Sequence, residues 1–413
     1  MTTATPVARV NQLDGLSLGM FALSGLSFLT LSFLTIGLAG GAVLTLLGSS
    51  RLAVGDNPFY SFAWLAGFFA LLTIPAIGFS FARLMGKDTS ALELRASRQA
   101  YRLSMGLMIG WPLVLLAGQW LTQNRSFGWL FLPPLQIASI AIPLWWLIEL
   151  TRRRLEGISA QRVWGAVNFS FLVSTVVILL VEIVVLIAAL IMAGIVFASQ
   201  PEWAAALERV AQRLSMARAN PDVILRIVKP FLQQPLVLVA LLAGAAGIVP
   251  LVEEFFKPLG LWLLAGRKMT PADGFILGAA SGCGFALLES LGLLSNPAQS
   301  SWVVLAVGRM GTGLLHITAS ALVGWGLAVA WREGKYIQLG ISYALAVFIH
   351  SIWNLFGLLM GIAPLLEPVS PQIWLVARLG QVAPLALAVL AASLLMILWV
   401  GNRILRPQGA KSW

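Results

Sequence analysis

Residues 249–260 read VPLVEEFFKPLG. Three ionisable side chains, Glu253, Glu254 and Lys257, stand between Pro250 and Pro258 in the middle of an apolar run. An ionised group at the centre of a bilayer costs about 2.5–3.5 kcal/mol on insertion scales. Such groups must therefore neutralise one another or do chemistry. Each proline removes a backbone hydrogen bond and bends or breaks a helix, and broken helices inside membranes usually line cavities. Glu253 and Lys257 are four apart and share a helix face, as an ion pair would require.

This run is one of ten. The chain has 413 residues, of which 59% are hydrophobic and 10% charged. Soluble domains carry about a quarter charged residues, so a soluble globular protein is excluded. A disordered chain, which needs low hydrophobicity and high charge, is excluded as well. Apolar stretches long enough to span a bilayer run roughly over 16–47, 58–82, 105–123, 129–150, 164–197, 237–266, 274–295, 303–331, 339–361 and 376–402. The fold class is all-α: a polytopic integral membrane protein of about ten transmembrane helices. The first apolar run is far longer than a signal-peptide core and reads as a retained span.

The net charge is +11. In this chain the excess sits in short loops beside the spans, where it sets orientation, so no nucleic-acid partner is expected. Loop 83–104 carries Arg83, Lys87, Arg95, Arg98 and Arg102, and loop 151–163 carries Arg152, Arg153, Arg154 and Arg162. Arg267 with Lys268, Arg332 with Lys335, and Arg403, Arg406 and Lys411 mark three further basic segments. With ten spans all of these fall on one side. The positive-inside rule makes that side the cytoplasm and places both termini there.

Segment 199–230 would then be outside although it holds Arg209, Arg213, Arg218, Arg226 and Lys229. Trp203, Leu207, Val210 and Leu214 recur at helical spacing, which predicts an amphipathic helix on the outer surface; a solvated helix packed on the protein fits the same spacing. The segment divides the chain into a membrane domain of five spans (1–198), the extracytoplasmic loop (199–230), four polar spans (237–361) and a final span with a cytoplasmic tail (376–413). The one cysteine, Cys283, allows no internal disulfide and no zinc site needing two or more cysteines. Glu182 in the fifth span reads as a carboxyl hydrogen-bonded to a neighbouring helix.

Polar residues multiply after the loop. Residues 284–290, GFALLES, bring Phe285 and Glu289; residues 308–320, GRMGTGLLHITAS, bring Arg309 and His316; residues 348–357, FIHSIWNLFG, bring His350 and Asn354. At about 1.5 Å per residue, Glu253 lies roughly 21 Å from the basic-loop face, Glu289 and His316 roughly 22 Å, His350 roughly 17 Å and Asn354 roughly 22 Å. Four consecutive spans thus place polar groups in one layer, past the midplane of a core about 30 Å thick. Gly274, Gly278 and Gly282 repeat every four residues and let the seventh span approach a neighbour closely. Arg309 reads as a structural residue near the outer end of its span, and Asn354 as a hydrogen-bond partner for His350.

Glu-Glu-x-x-Lys, Phe-x-x-x-Glu, a His and His-x-x-x-Asn, in this order on four spans, resemble the PrsW family of intramembrane proteases, which is related to the CAAX-prenyl-protease and bacteriocin-processing (CPBP) superfamily. The resemblance covers roughly 237–361. It implies a PrsW/CPBP-like helical core with Glu253, Glu254, His316 and His350 as the catalytic centre and Glu289 and Asn354 beside it. Glu289 where CAAX proteases usually place His, and Lys257 where they usually carry Arg, imply the PrsW branch. Family members are regarded as metalloproteases, and some cut membrane-anchored anti-sigma factors on their extracytoplasmic side. The implied partners are a membrane-anchored protein substrate and the lipid bilayer; the oligomeric state is open.

Two mechanisms fit these residues. In one, His316, His350 and a glutamate, with Glu253 favoured, bind Zn²⁺ and the other glutamate takes the proton of the attacking water. In the other no metal is present, a glutamate activates water, and His350 with Asn354 stabilises the oxyanion. Glu254 is the favoured base, because Glu253 shares its face with Lys257. Two readings outside this class stay open: a proton- or ion-coupled transporter using the same relay, and a catalytically silent membrane scaffold.

Overall fold

The computed structural model describes residues 15–48, 58–87, 93–94, 97–123, 125–198, 201–216, 221–294, 302–366 and 371–407. Arg95 and Lys411, used above to orient the chain, and Arg218 of the 199–230 segment lie outside the described residues. The first four spans are α1 (Gly15–Gly48), α2 (Pro58–Leu84), α3 (Arg98–Gln123) and α4 (Arg125–Thr151). The fifth is α5 (Ala160–Phe169), a π-helical turn over Ser170–Ser174 and α6 (Thr175–Ala198). Two amphipathic helices follow, α7 (Pro201–Met216) and α8 (Pro221–Leu232). The sixth span is α9 (Pro235–Ala243), a π-helical turn over Gly244–Ile248, α10 (Val249–Phe256) and α11 (Leu259–Trp262). The last four spans are α12 (Pro271–Leu294), α13 (Trp302–Glu333), α14 (Tyr336–Ile362) and α15 (Pro371–Ile404). Among the described residues, ten helical segments are long and apolar enough to cross a membrane. The chain is a helical integral membrane protein.

Helices α12 and α13 form the centre. In their most apolar windows 78% and 89% of residues are buried, against 6% in α1, which faces outward along most of its length. The glycine stripe explains the pairing. A Cβ on Gly274 would strike the carbonyl oxygen of Gly324, one on Gly278 that of Ser320, and one on Gly282 that of His316. Without those side chains the two backbones meet directly, which is how helices gain packing energy in lipid. The same stripe seats the backbone of His316 against α12.

One hydrophobic cluster runs through the bundle, from Phe69 on α2 and Leu144 on α4 through Val167, Leu277 and Leu315 to Leu398 on α15. It crosses the boundary expected at residue 198, so the first five spans pack on the same core as the polar ones.

The basic segments meet at one end. Two short strands, β1 (Glu93–Leu94) and β2 (Ile158–Ser159), pair antiparallel and join the 83–104 and 151–163 loops. Arg83 donates to Gln161 Oε1 (3.3 Å), Arg162 to the carbonyl of Lys268 (3.2 Å), and Asn402 to the carbonyls of Thr151 and Arg153 (2.7 and 2.9 Å).

Candidate active site

The sixth span is broken at both prolines, and each break is mended by another helix. In the π-helical turn the amide of Val249 reaches Gly244 O. The next donor in that register would serve Ala245 O, but it is Pro250, which has no N–H. Asn354 Nδ2 on α14 takes its place and donates to Ala245 O at 3.0 Å. At the second break Leu261 N–H turns to Pro258 O, and the carbonyl of Lys257 accepts from no backbone amide among the described residues. Ser281 Oγ on α12 donates to it at 2.5 Å. A buried carbonyl without a partner costs about 1–3 kcal/mol, so these two side chains hold α10 in register with α12 and α14.

Glu253, Glu254 and Lys257 on α10 are buried. Lys257 Nζ lies 2.8 Å from Glu253 Oε2 and 2.7 Å from Glu254 Oε1. The ammonium therefore touches both glutamates, not Glu253 alone, because its i−4 and i−3 neighbours flank it equally. Its third contact is His316 Nδ1 at 2.8 Å, and the ring face of Phe285 lies 4.5 Å away. An ammonium has only donors, so His316 Nδ1 is the acceptor in that contact. The other nitrogen, Nε2, then carries the proton and donates to Glu289 Oε2 at 2.8 Å.

His350 repeats the pattern. Its Nδ1 lies 2.7 Å from Glu254 Oε1, and its Nε2 faces Glu253 Oε2 at 3.8 Å. The two imidazoles pack edge to face with centroids 5.2 Å apart. Each histidine thus has one nitrogen held by a carboxylate and the other turned toward Glu253 or its ion partner. A carboxylate behind an imidazole is the usual support of a metal-ligating histidine.

The structure brings Glu253, Glu254, His316, His350 and Glu289 together, as the depth calculation expects. One ligand atom from each of Glu253, Glu254, His316 and His350 lies within 4.8 Å of all the others. Glu253 Oε2 and Glu254 Oε2 are buried and accept no hydrogen bond of good geometry among the described residues. Carboxylate and imidazole donors with unfilled lone pairs suit zinc chemically. Three carboxylates (Glu253, Glu254 and Glu289) face two side-chain cations, leaving one negative charge over when both imidazoles are neutral. The donor set therefore fits a cation, although Lys257 already stands among the donors.

Three expectations change. Asn354 bonds to Ala245 O, with no hydrogen bond to His350 among the described residues. Arg309 belongs to the site: Nη2 lies 2.6 Å from Glu289 Oε2, and Nε donates to Ser290 Oγ at 3.2 Å. Arg309 stands in the same stretch as His316, but its spacing in sequence does not say that its side chain turns toward Glu289 on the adjacent helix. Glu182 Oε1, expected to bond a neighbouring helix, is buried with no hydrogen-bond partner among the described residues. Ser281 is a further residue that sequence reasoning missed; the available signal was Pro258, where the helix breaks and Leu261 N–H turns to the proline's own carbonyl.

Access is uneven. The side chain of Glu289 is 31% exposed and that of Arg309 11%, whereas Glu254 and Lys257 are fully buried. Glu289 stands five residues before the end of α12 and Arg309 seven after the start of α13. The open side of the cluster is thus nearer the bundle end away from the basic loops.

The chain is thus a polytopic membrane protein with a buried carboxylate–imidazole centre inside its helical bundle. The model of the PrsW family intramembrane metalloproteases matches residues 162–388, more than half of the chain, and the chain belongs to that family. It is an intramembrane protease, and its substrates are membrane proteins met within the lipid. The match is wider than the 237–361 on which the motifs lie: it starts in α5 and ends in α15, so parts of the fifth and last spans belong to it. No curated protein and no solved structure matches the chain.

Proposed function

We propose that the chain is an intramembrane endopeptidase whose reacting centre is His316, His350 and Glu253, with Glu254 as base and Glu289 and Arg309 as support. The observation that carries this is the paired arrangement of the imidazoles. Glu289 fixes His316 with Nδ1 free to accept, and Glu254 fixes His350 with Nε2 free to accept. His316, His350 and Glu253 are then the residues that would hold a divalent ion, zinc by donor chemistry. Such an ion supplies Lewis-acid polarisation of the scissile carbonyl and makes water a stronger acid.

The remaining steps belong to the chain itself. Glu254 Oε1 is occupied by Lys257 and His350, while Oε2 has no hydrogen-bond partner. Oε2 takes the proton of the attacking water and returns it to the leaving amine. Arg309 holds Glu289 from the rim, and the low-dielectric surroundings strengthen each of these contacts. The substrate enters at the Glu289–Arg309 side. With the basic loops facing the cytoplasm, scission falls in the outer or juxtamembrane part of a single-span protein, the class to which membrane-anchored anti-sigma factors belong.

One observation favours a second reading. Lys257 already supplies a cation to Glu253, Glu254 and His316. Without an ion, Glu253 is the base, since its side chain keeps the small exposure that Glu254 lacks. The test is cleavage of a single-span reporter by purified protein in proteoliposomes, with metal content measured alongside. His316→Ala and His350→Ala lose zinc and cleavage together in the first reading. Full activity in metal-free protein overturns it and leaves the second.

A further inference from the structure

Lys257 Nζ makes two of its three contacts, those to Glu253 and His316, with atoms a divalent ion would need. Glu253 Oε2 is at 2.8 Å, Glu254 Oε1 at 2.7 Å and His316 Nδ1 at 2.8 Å. Two of these contacts are hydrogen bonds, to Glu254 Oε1 and His316 Nδ1, and the third, to Glu253 Oε2, is an ion pair. We infer that Lys257 is a tethered cation standing in the ion's place, so that ammonium and divalent ion exclude each other and the wild-type centre holds the ion weakly. The inference rests on His316, His350 and Glu253 being the ion's ligands.

Two arguments carry it. The first is stoichiometric. A neutral imidazole has one nitrogen lone pair to give. The His316 Nε2 side is committed to Glu289, so the Nδ1 lone pair serves either Lys257 or the ion. Zinc–nitrogen bonds are about 2.0–2.1 Å, which leaves no room for an ammonium on the same lone pair. The second is charge matching. With Lys257 in place, Glu253, Glu254, Glu289, Lys257 and Arg309 sum to one net negative charge, and a divalent ion overshoots. Without the lysine charge the net charge of these groups is two negative, which a divalent ion cancels. Like charges this close in low dielectric repel strongly. When the ion enters, the ammonium gives up His316 Nδ1 and Glu253 and keeps Glu254 Oε1 and the face of Phe285.

The experiment is zinc titration of the purified full-length protein, wild type against Lys257→Met and Lys257→Gln, with metal content and affinity read by competition with a chromogenic chelator. Both neutral variants are expected to bind zinc at least about tenfold more tightly, as loss of a like charge at contact distance requires. Lys257→Arg keeps the charge and stays as weak as wild type. Adding His316→Ala to Lys257→Met removes the gain. Equal or weaker zinc binding by folded neutral variants overturns the inference, and so does zinc binding by none of the proteins.

Should the neutral variants fail to fold, wild type supplies the test. The chain has only two histidines, so ¹⁵N-histidine labelling gives two ring systems. His316 Nδ1 is expected to be unprotonated and hydrogen-bonded before zinc is added, and a protonated Nδ1 overturns the inference. None of these measurements uses cleavage. A protease that proves active without metal refutes the first functional reading separately, while the affinity ratio still decides the role of Lys257.

Discussion

At the scale of the residue, Glu254 has two oxygens in different employment. One is bonded by Lys257 and His350, and the other is buried and unbonded. Glu254→Gln keeps an oxygen for both donors and removes the basicity. It is expected to lower cleavage by about 10²–10⁴-fold, the usual contribution of a general base, and to lower zinc affinity by about 10–100-fold as well, because Glu254 also backs His350 Nδ1. Full cleavage of a reporter by that variant would remove Glu254 from the mechanism. Glu289 acts through His316, so it is a positioning residue. Loss of a carboxylate behind a metal-ligating histidine typically costs about 10–100-fold in metal affinity. Glu289→Gln should show that loss in a zinc titration, with fold retained because Gln still accepts the His316 N–H.

At the scale of the element, the sixth span shows what proline does in a membrane. Each break leaves a carbonyl that lipid cannot satisfy, Ala245 O through the missing N–H of Pro250 and Lys257 O through the turn of Leu261 N–H to Pro258 O, and a side chain from another helix supplies the donor. Asn354→Ala and Ser281→Ala should each destabilise the protein by about 1–3 kcal/mol, the cost of a buried unsatisfied carbonyl. Asn354→Asp should not rescue the first, because an ionised carboxylate accepts and cannot donate. Thermal unfolding in detergent measures both. Unchanged stability in Asn354→Ala would mean that water or another donor already serves Ala245 O. The α12–α13 contact gives a second prediction. Gly278→Val drives a side chain into the carbonyl of Ser320, which is backbone and cannot rotate away. Overpacking of this kind costs typically about 1–3 kcal/mol, and because His316 sits about one turn away on the same seam, the variant should lose cleavage as well as stability.

At the scale of the molecule, orientation decides where the substrate is cut. The basic loops converge at one end through β1, β2, Arg162 and Asn402, and α7 and α8 extend from the other. Met85 at the basic end and Met216 at the end of α7 are 64% and 72% exposed. In a Cys283→Ala background, a membrane-impermeant thiol reagent should label Met216→Cys in intact cells and Met85→Cys only after permeabilisation. The reverse pattern would put the basic loops outside and move scission toward the cytoplasmic part of the substrate.

The sequence by itself determined the class of fold and the depth of the site. Ten apolar runs need only length and composition to be recognised, because the bilayer imposes both. Depth follows from a fixed helical rise, so Glu253, Glu289, His316 and His350 could be set in one layer before any packing was known. The glycine stripe of α12 was legible for the same reason, a fixed period on one face. What only the tertiary structure decided is angular and pairwise. Depth does not say which way a side chain points around its helix, so Arg309 at the rim, the two-fold reach of Lys257 and the turn of Asn354 toward Ala245 O were out of view. Nor does it say which helix mends a proline break, since that donor comes from across the bundle. The central ammonium among three acceptors exists because α10, α12, α13 and α14 converge at that point, and such convergence is a property of the packed helices and of no single segment.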